Sequence, residues 1–222
     1  MQELIHNWCR SLRVPLQPDE FEAKRLLSAM GIPIPESQRL MPDTAPPVPE
    51  FSGPFVVKTC SPEILHKTEA DGVQLDVPSH DFASVISDFS IRFPGKAVLV
   101  ESQINYQGPE MIVGGLNDPA FGPALMVGAG GIFTEIFQDV VFRLAPLNTA
   151  ESRCMIQELN IFPALNGFRN QPSFVDPLSH LLTQVSRLVA DFGDILDQLD
   201  INPLVCQNGQ WIALDVKILL HP

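Results

Sequence analysis

Apolar positions along this chain recur at two spacings, and the switches between them mark its elements. From Pro18 to Met30, Ala23, Leu26, Leu27 and Met30 fall at helical intervals behind Asp19, a capping residue. A helix is predicted there. Gly31 ends it, and Pro33 and Pro35 then hold the chain extended. The longest helical stripe runs through Leu178, Leu181, Leu182, Val185, Leu188, Val189, Phe192, Ile195, Leu196 and Leu199. With Asp176 as cap and Pro177 at the first helical position, it predicts a helix from Pro177 to about Leu199. Shorter helices are predicted over Phe82 to Phe89 and over Thr149 to Leu159, the latter capped by Thr149. Residues 1–17 are ambiguous, a short helix that docks either on the body or on a partner.

Between the helices the spacing shortens. Phe55 to Cys60 is a β-branched run, and Gly72 to Val77 alternates as a half-buried strand does. Ala97 to Val100 is a short apolar strand. Glu110 to Gly114 and Ala124 to Val127 follow, separated by a turn at Asn117-Asp118-Pro119. Ile132 to Phe137 and Val140 to Leu144 read as a hairpin. Ile201 to Val205 and Trp211 to Val216 form another, joined through Asn208-Gly209, a strong hairpin signal. Pro42, Pro46, Pro47, Pro49 and Pro54 make 41–54 a semi-rigid linker. Strands cluster in pairs, so the layout is α+β with two sheets and not a doubly wound parallel sheet.

Composition narrows the function. The 222 residues are 45% hydrophobic and 18% charged, enough for a full core. A net charge of -12 disfavours nucleic acid and anionic membrane as partners. A nucleotide remains open, because local lysines and a metal ion can hold phosphates within an acidic protein. Cys9, Cys60, Cys154 and Cys206 stand far apart without metal-ligand spacing, as reduced thiols would. No stretch is long and apolar enough to span a bilayer, and a cytoplasmic location is expected.

Lys58 ends an apolar strand, where it is either a surface charge or a phosphate ligand. The loop after it, Ser61 to Asp71, holds His66 beside Lys67 and leads to Gly72. A polar loop of this kind can fold over a polyphosphate, and a histidine can take and return a phosphoryl group. Gly128, Gly130 and Gly131 follow a strand, and are either a tight turn or a place where backbone amides approach phosphate. Arg143 faces the same choice between phosphate and an ion pair with Glu135 or Asp139. Asp200 and Asn202 alternate on one face of a strand, with Asp215 on the paired strand. Hard oxygen donors on neighbouring strands suit Mg²⁺, the alternative being a polar solvent-facing edge.

Several motifs, taken together and in order, resemble one family. They are Glu22-Ala23-Lys24 with Leu27 and Gly31-Ile32-Pro33; Val56-Val57-Lys58; Ser61-Pro62-Glu63-Ile64-Leu65-His66-Lys67; Asp118-Pro119-Ala120-Phe121-Gly122-Pro123; Gly128 to Glu135; Phe142-Arg143-Leu144-Ala145-Pro146-Leu147; and Asp200-Ile201-Asn202-Pro203-Leu204. Over about residues 20–220 the chain resembles the β subunit, or ATP-grasp domain, of NDP-forming acetyl-CoA and acyl-CoA synthetases, relatives of succinyl-CoA synthetase. The resemblance implies an ATP-grasp fold of two α+β subdomains with the nucleotide between them. It divides the chain into an extension, 1–17, an N-terminal subdomain, 18–100, and a C-terminal subdomain, 101–222.

It also implies roles. Lys58 and Lys67 would bind nucleotide phosphates, and His66 would be a relaying phosphohistidine. Val100 and Glu101 would lie at the hinge near adenine, and Glu110 near the ribose or phosphates. Gly128, Gly130 and Gly131 would cradle the nucleotide, Arg143 would neutralise charge, and Asn202 and Asp215 would bind Mg²⁺. Asp200 would receive the phosphohistidine loop. The implied activity is acid–thiol ligation, acyl-CoA + ADP + Pi ⇌ acid + ATP + CoA. It would run with a CoA-binding α subunit that carries its own histidine, in a hetero-oligomer. Asp71-Gly72 stands where the family has two glycines, so a carboxylate there would push against phosphates unless it turned to solvent or paired with Lys67. Two alternatives follow from the same residues: a nucleotide-sensing module without catalysis, and another ATP-grasp ligase of the succinyl-CoA synthetase type.

Overall fold

The computed structural model describes residues 2–12, 17–41, 49–64, 67, 70–106, 108–131, 139–167 and 173–221. His66, part of the proline-rich linker and the Ile132 to Phe137 strand lie outside the described residues. The chain forms two compact units. The smaller holds Asp19–Glu22 and Pro35–Asn105; the larger holds Met1–Pro18, Ala23–Ile34 and Tyr106–Pro222. By contacts, residues 1–18 and 23–34 thus group with the C-terminal part of the chain. The reason is apolar packing, since Ile5, Ala23, Leu26, Leu27 and Ile32 all join the larger unit's core.

The smaller unit is an antiparallel sheet of β1 (Ser37–Leu40), β4 (Ala97–Ser102), β2 (Phe55–Cys60) and β3 (Val73–Val77), in that order. One face is apolar. Phe55, Val57, Val98 and Val100 pack there against Phe82, Val85, Ile86 and Phe89 of α3 (Phe82–Arg92). The opposite face carries the alternate residues, Val56, Lys58, Leu99 and Glu101. Residues 19–22 bring acidic side chains to that face: Arg39 pairs with Asp19 and Glu22, and Lys58 with Glu20. Strand β3 does not alternate as expected. Gln74, Leu75 and Asp76 are all exposed, because β3 is an edge strand with Asp76 at φ 54 and a register shift against β2.

The larger unit has the strand order β10 (Val216–Leu220), β8 (Leu196–Gln207), β5 (Met111–Asp118), β6 (Gly122–Ala129), β7 (Val140–Leu144), with β9 (Gln210–Ala213) also on β8. Its helices are α1 (Gln2–Ser11), most of α2 (Glu20–Ala29), α4 (Thr149–Gln157), α5 (Phe162–Leu165) and α6 (Val175–Phe192). Met111, Val113, Leu125, Val127, Leu199 and Ile201 face α6 and form the core with Leu178, Leu182, Val185 and Val189. Helix and sheet approach closely at Gly115, where a Cβ would lie 2.4 Å from Val189 Cγ2.

Several boundaries differ from the sequence reading. Helix α6 stops at Phe192 because Gly193 takes φ 52, and Leu196 and Leu199 belong to β8. The cap of α4 is Asn148, in a reciprocal capping box with Glu151, and not Thr149. Asp176 lies inside the first turn of α6, whose N-cap is Phe174. The Asn208-Gly209 turn has φ 52 and 80, the two positive values a tight hairpin needs. The predicted strand over Trp211 to Val216 breaks at Leu214 and Asp215, between β9 and β10. Gly128 and Ala129 belong to β6 and do not interrupt it. Among the described residues no helix is long and apolar enough to cross a membrane, and all four cysteines are free thiols, Cys154 exposed.

Candidate functional site

In the smaller unit the chemistry gathers around Lys58. Its Nζ donates to Glu20 Oε1 at 2.9 Å and lies 2.8 Å from Glu101 Oε2, with both carboxylate side chains only 2% exposed. The pairing follows from register. Val56 lies opposite Glu101 and Lys58 opposite Leu99, so Lys58 and Glu101 are diagonal neighbours on one face. Lys67 donates to Glu20 Oε2. Its carbonyl accepts the Gly72 N–H at 2.7 Å, which closes the end of the loop. Asp71 points to solvent at φ 50, and its carbonyl accepts from Arg92 at 2.5 Å. Val100 is on the same strand as Glu101 but on the other face, fully buried in the apolar core. Burial, with the charge of Asp19 next, pushes the Cys60 thiol up to about 12, so this cysteine is inert.

In the larger unit one row of side chains crosses the face of the sheet away from α6. Register sets Lys217 opposite Asp200, Asp200 opposite Gly114, Gly114 opposite Met126 and Met126 opposite Phe142. A cleft of about 460 Å³ lies over this row, bordered by Ile112, Gly114, Met126, Phe142 and Asp200. Asn202 is two residues along β8, and its N–H donates to the carbonyl of Asp215 at 3.1 Å. Asp215 is held from behind as well. The fully buried Lys24 donates from Nζ to the carbonyl of the preceding Leu214 at 2.7 Å. The carboxyl of Asp200 is raised above its ordinary value by burial first and by the charge of Asp215 second, with Lys217 opposing. Two carboxylates and an amide are therefore drawn together at a cost that a cation would offset. No group of three or more His, Cys, Asp or Glu able to hold a metal occurs among the described residues. Mg²⁺ asks for less, one or two carboxylates plus water and phosphate, and the donor set fits it.

Glu110 and the glycines also meet in the larger unit. The Glu110 carbonyl accepts the Gly130 N–H at 2.7 Å, and its carboxylate accepts from Tyr106. Burial first, then this hydrogen bond and the carboxylate's charge, push the Tyr106 hydroxyl up to about 12. A Cβ on Gly131 would lie 3.0 Å from Glu110 Oε2, and one on Gly128 2.6 Å from Val140 Cγ1 and 2.7 Å from the Asp139 carbonyl. Packing alone thus accounts for glycine at 128. Arg143 is set apart. It pairs with Leu125, on the core side of β6, while Phe142 shares the face of Asp200. Its guanidinium pairs with Glu158, and not with Asp139, which instead receives the N–H groups of Asn160 and Ile161.

Glu20 and the backbone-holding role of Lys24 were not foreseen. Both sit in a helix whose apolar stripe does not include them, and only their partners, 38 and 190 residues away, reveal the burial.

Two antiparallel sheets, a buried strand lysine beside a glycine-terminated loop, and paired acidic and amide donors on a separate sheet are features of an ATP-grasp domain. The ATP-grasp domain model matches residues 16–220, and the chain belongs to that family. It is 34% identical over 214 residues to the β subunits of acetate–CoA ligases (ADP-forming) II and I of Pyrococcus furiosus, covering 90% of each chain in both comparisons. It is 33% identical to 4-hydroxybutyrate–CoA ligase (ADP-forming) of Nitrosopumilus maritimus over 90% of this chain and 30% of that one. Among solved structures, a Pyrococcus horikoshii protein superposes with TM-score 0.87 at 33% identity, covering 100% of both chains. A Ca. Korarchaeum cryptofilum dinucleotide-forming acetyl-coenzyme A synthetase, solved with coenzyme A and Mg-AMPPCP and with its phosphohistidine segment pointing towards the nucleotide binding site, does so with TM-score 0.82 at 27% identity over 99% of both.

Proposed function

We propose that this chain is the nucleotide-binding subunit of an ADP-forming acyl-CoA ligase and exchanges a phosphoryl group between ATP/ADP and a histidine. The observation that carries the reading is the end-to-end match with β subunits of that activity, 90% of each chain. In the smaller unit, Lys58 and Lys67 offer two ammonium groups to phosphate oxygens. In the larger unit, Asn202 and Asp215 would hold Mg²⁺, which neutralises phosphate charge when bound. Asp200, beside them and bordering a cleft, receives the histidine and shares its proton. His66 carries the phosphoryl group as a phosphoramidate. Its N–P bond breaks as the terminal phosphate oxygen of ADP forms the new O–P bond, and the reverse transfer consumes ATP. A CoA-binding partner with its own histidine supplies the acyl phosphate chemistry, and the two subunits form a hetero-oligomer. Arg143 pairs with Glu158.

The test uses the full chain with its CoA-binding partner, Mg²⁺ and γ-labelled ATP, comparing native protein with His66→Ala. Acid-labile, alkali-stable label on this chain that is lost in the variant is the expected result. Nucleotide binding without label, even with the partner present, sinks the transfer reading and favours a nucleotide-sensing module.

A further inference from the structure

Glu20 has no step in the reaction above, yet it joins the two lysines assigned to phosphate. Its side chain is 2% exposed; Oε1 accepts from Lys58 and Oε2 from Lys67. Lys58 lies on β2 and Lys67 on the loop that follows it, so one carboxylate ties the loop to the strand. The loop's end is fixed by the backbone as well. Gly72 donates to the Lys67 carbonyl at 2.7 Å, and the Gly72 carbonyl accepts the Thr59 N–H at 2.8 Å. A Cβ on Gly72 would lie 2.6 Å from Thr59 Cγ2 and 3.1 Å from the Lys67 carbonyl, so only glycine closes this turn. Lys67 is thus held at its carbonyl by Gly72 and at its ammonium by Glu20.

Stability is a weak reason for such a cluster, because well-packed apolar side chains of equal volume generally serve as well as a buried ion pair. What a carboxylate supplies is geometry. Two ammonium groups repel unless an anion stands between them, and Glu20 is that anion before any phosphate arrives. We propose that Glu20 is a positioning residue: it holds Lys67, and with it the loop stem next to His66, in fixed relation to Lys58. The phosphate-binding pair is then assembled in advance, and no reorganisation is needed when the phosphoryl group moves. This inference rests on the reading of Lys58, Lys67 and His66 as phosphate-handling residues.

Glu20→Gln keeps the shape and removes the charge; Lys58 retains Glu101, and Lys67, at 14% exposure, can reach water, so the fold is kept. Two measurements are made. Amide hydrogen exchange at Gly72 is read on the full chain alone, and ATP synthesis from acetyl-CoA, ADP and phosphate is read with the CoA-binding partner. In Glu20→Gln, exchange at Gly72 speeds up, kcat falls about 10- to 100-fold and KM for ADP stays within about threefold. Glu20→Asp restores part of kcat. Unchanged exchange at Gly72, or a KM for ADP that rises as much as kcat falls, overturns the proposal. Faster exchange in Glu20→Gln, when the wild-type pair makes no ATP at all, supports the clamp and sinks the ligase reading instead.

Discussion

Lys58→Met tests the buried charge cluster directly. Methionine is close to the lysine stem in shape, so the substitution mainly removes charge. In the native chain Lys58 Nζ lies 2.9 Å from Glu20 and 2.8 Å from Glu101. Without it, Glu20 keeps Lys67, and Glu101, 1% exposed on the central strand β4, loses the Lys58 ammonium. Removing one partner of a buried pair costs about 3–5 kcal/mol, much of it the charge left behind. Lys58→Met should therefore lower the unfolding free energy by about 3–5 kcal/mol. Adding Glu101→Gln removes one buried negative charge from the same cluster and should return roughly 1–3 kcal/mol, so the double variant is more stable than the single. The assay is urea unfolding followed by far-ultraviolet circular dichroism, with m compared across variants. Tryptophan fluorescence is unsuitable, because Trp8 and Trp211 both belong to the larger unit. A single variant within about 1 kcal/mol of native, or a double variant no more stable than the single, refutes the reasoning.

Asp200→Asn should abolish transfer, at least about 10²-fold in rate, while raising the melting temperature at neutral pH. The sign follows from its raised carboxyl: the folded chain binds the proton more tightly than the unfolded one, so stability falls as pH rises from the ordinary 3.8 through the folded value. The variant's advantage should therefore be present at pH 7 and vanish below 3.8, and a variant less stable than native at pH 7 contradicts it. Gly128→Ala forces a Cβ to within 2.6 Å of Val140 and 2.7 Å of the Asp139 carbonyl, and should cost about 1–3 kcal/mol of stability by denaturant unfolding. A fall in nucleotide affinity with unchanged stability would instead assign Gly128 to the ligand.

Elements with local signals were legible in the sequence. The Asn208-Gly209 hairpin, the helix begun at Asp19 and the α+β layout all rest on turn chemistry and period. Asp19 and Glu22 do form the reciprocal cap, with N–H donors at 2.9 and 3.2 Å. The misreadings have a common cause. Leu196 and Leu199 continue the helical stripe of α6 in spacing, yet Gly193 turns the chain and the same leucines face the same core from a strand. Period counts apolar positions but does not say which element presents them. The ion-pair partner of Arg143, Glu158 and not Asp139, was hidden for the matching reason, since the arginine's face is set by pairing with β6, a long-range fact. The residues with family-specific spacing, Lys58, Asp200, Asn202 and Asp215, were legible as candidates because their order along the chain is itself distinctive.

Helix α2 shows where local reading must stop. Glu20, Glu22 and Lys24 occupy positions that a hydrophobic stripe through Ala23, Leu26 and Leu27 leaves to solvent, yet all three are buried. A charge enters a protein interior only with a partner, so each buried charge is a statement about a distant residue. In the smaller unit Glu20 answers Lys58, and the two are tied to Glu101 and Lys67. In the larger unit Lys24 answers the carbonyl of Leu214 and so fixes the bend that carries Asp215. If these charges served stability alone, apolar replacements would be tolerated at either place. Because each instead holds a residue assigned to phosphate or metal, replacing Lys24 with methionine should weaken the Mg²⁺ dependence of nucleotide binding while leaving the apolar core of α2 in place. An unchanged Mg²⁺ requirement would mean that Lys24 is a packing residue whose charge happens to be satisfied.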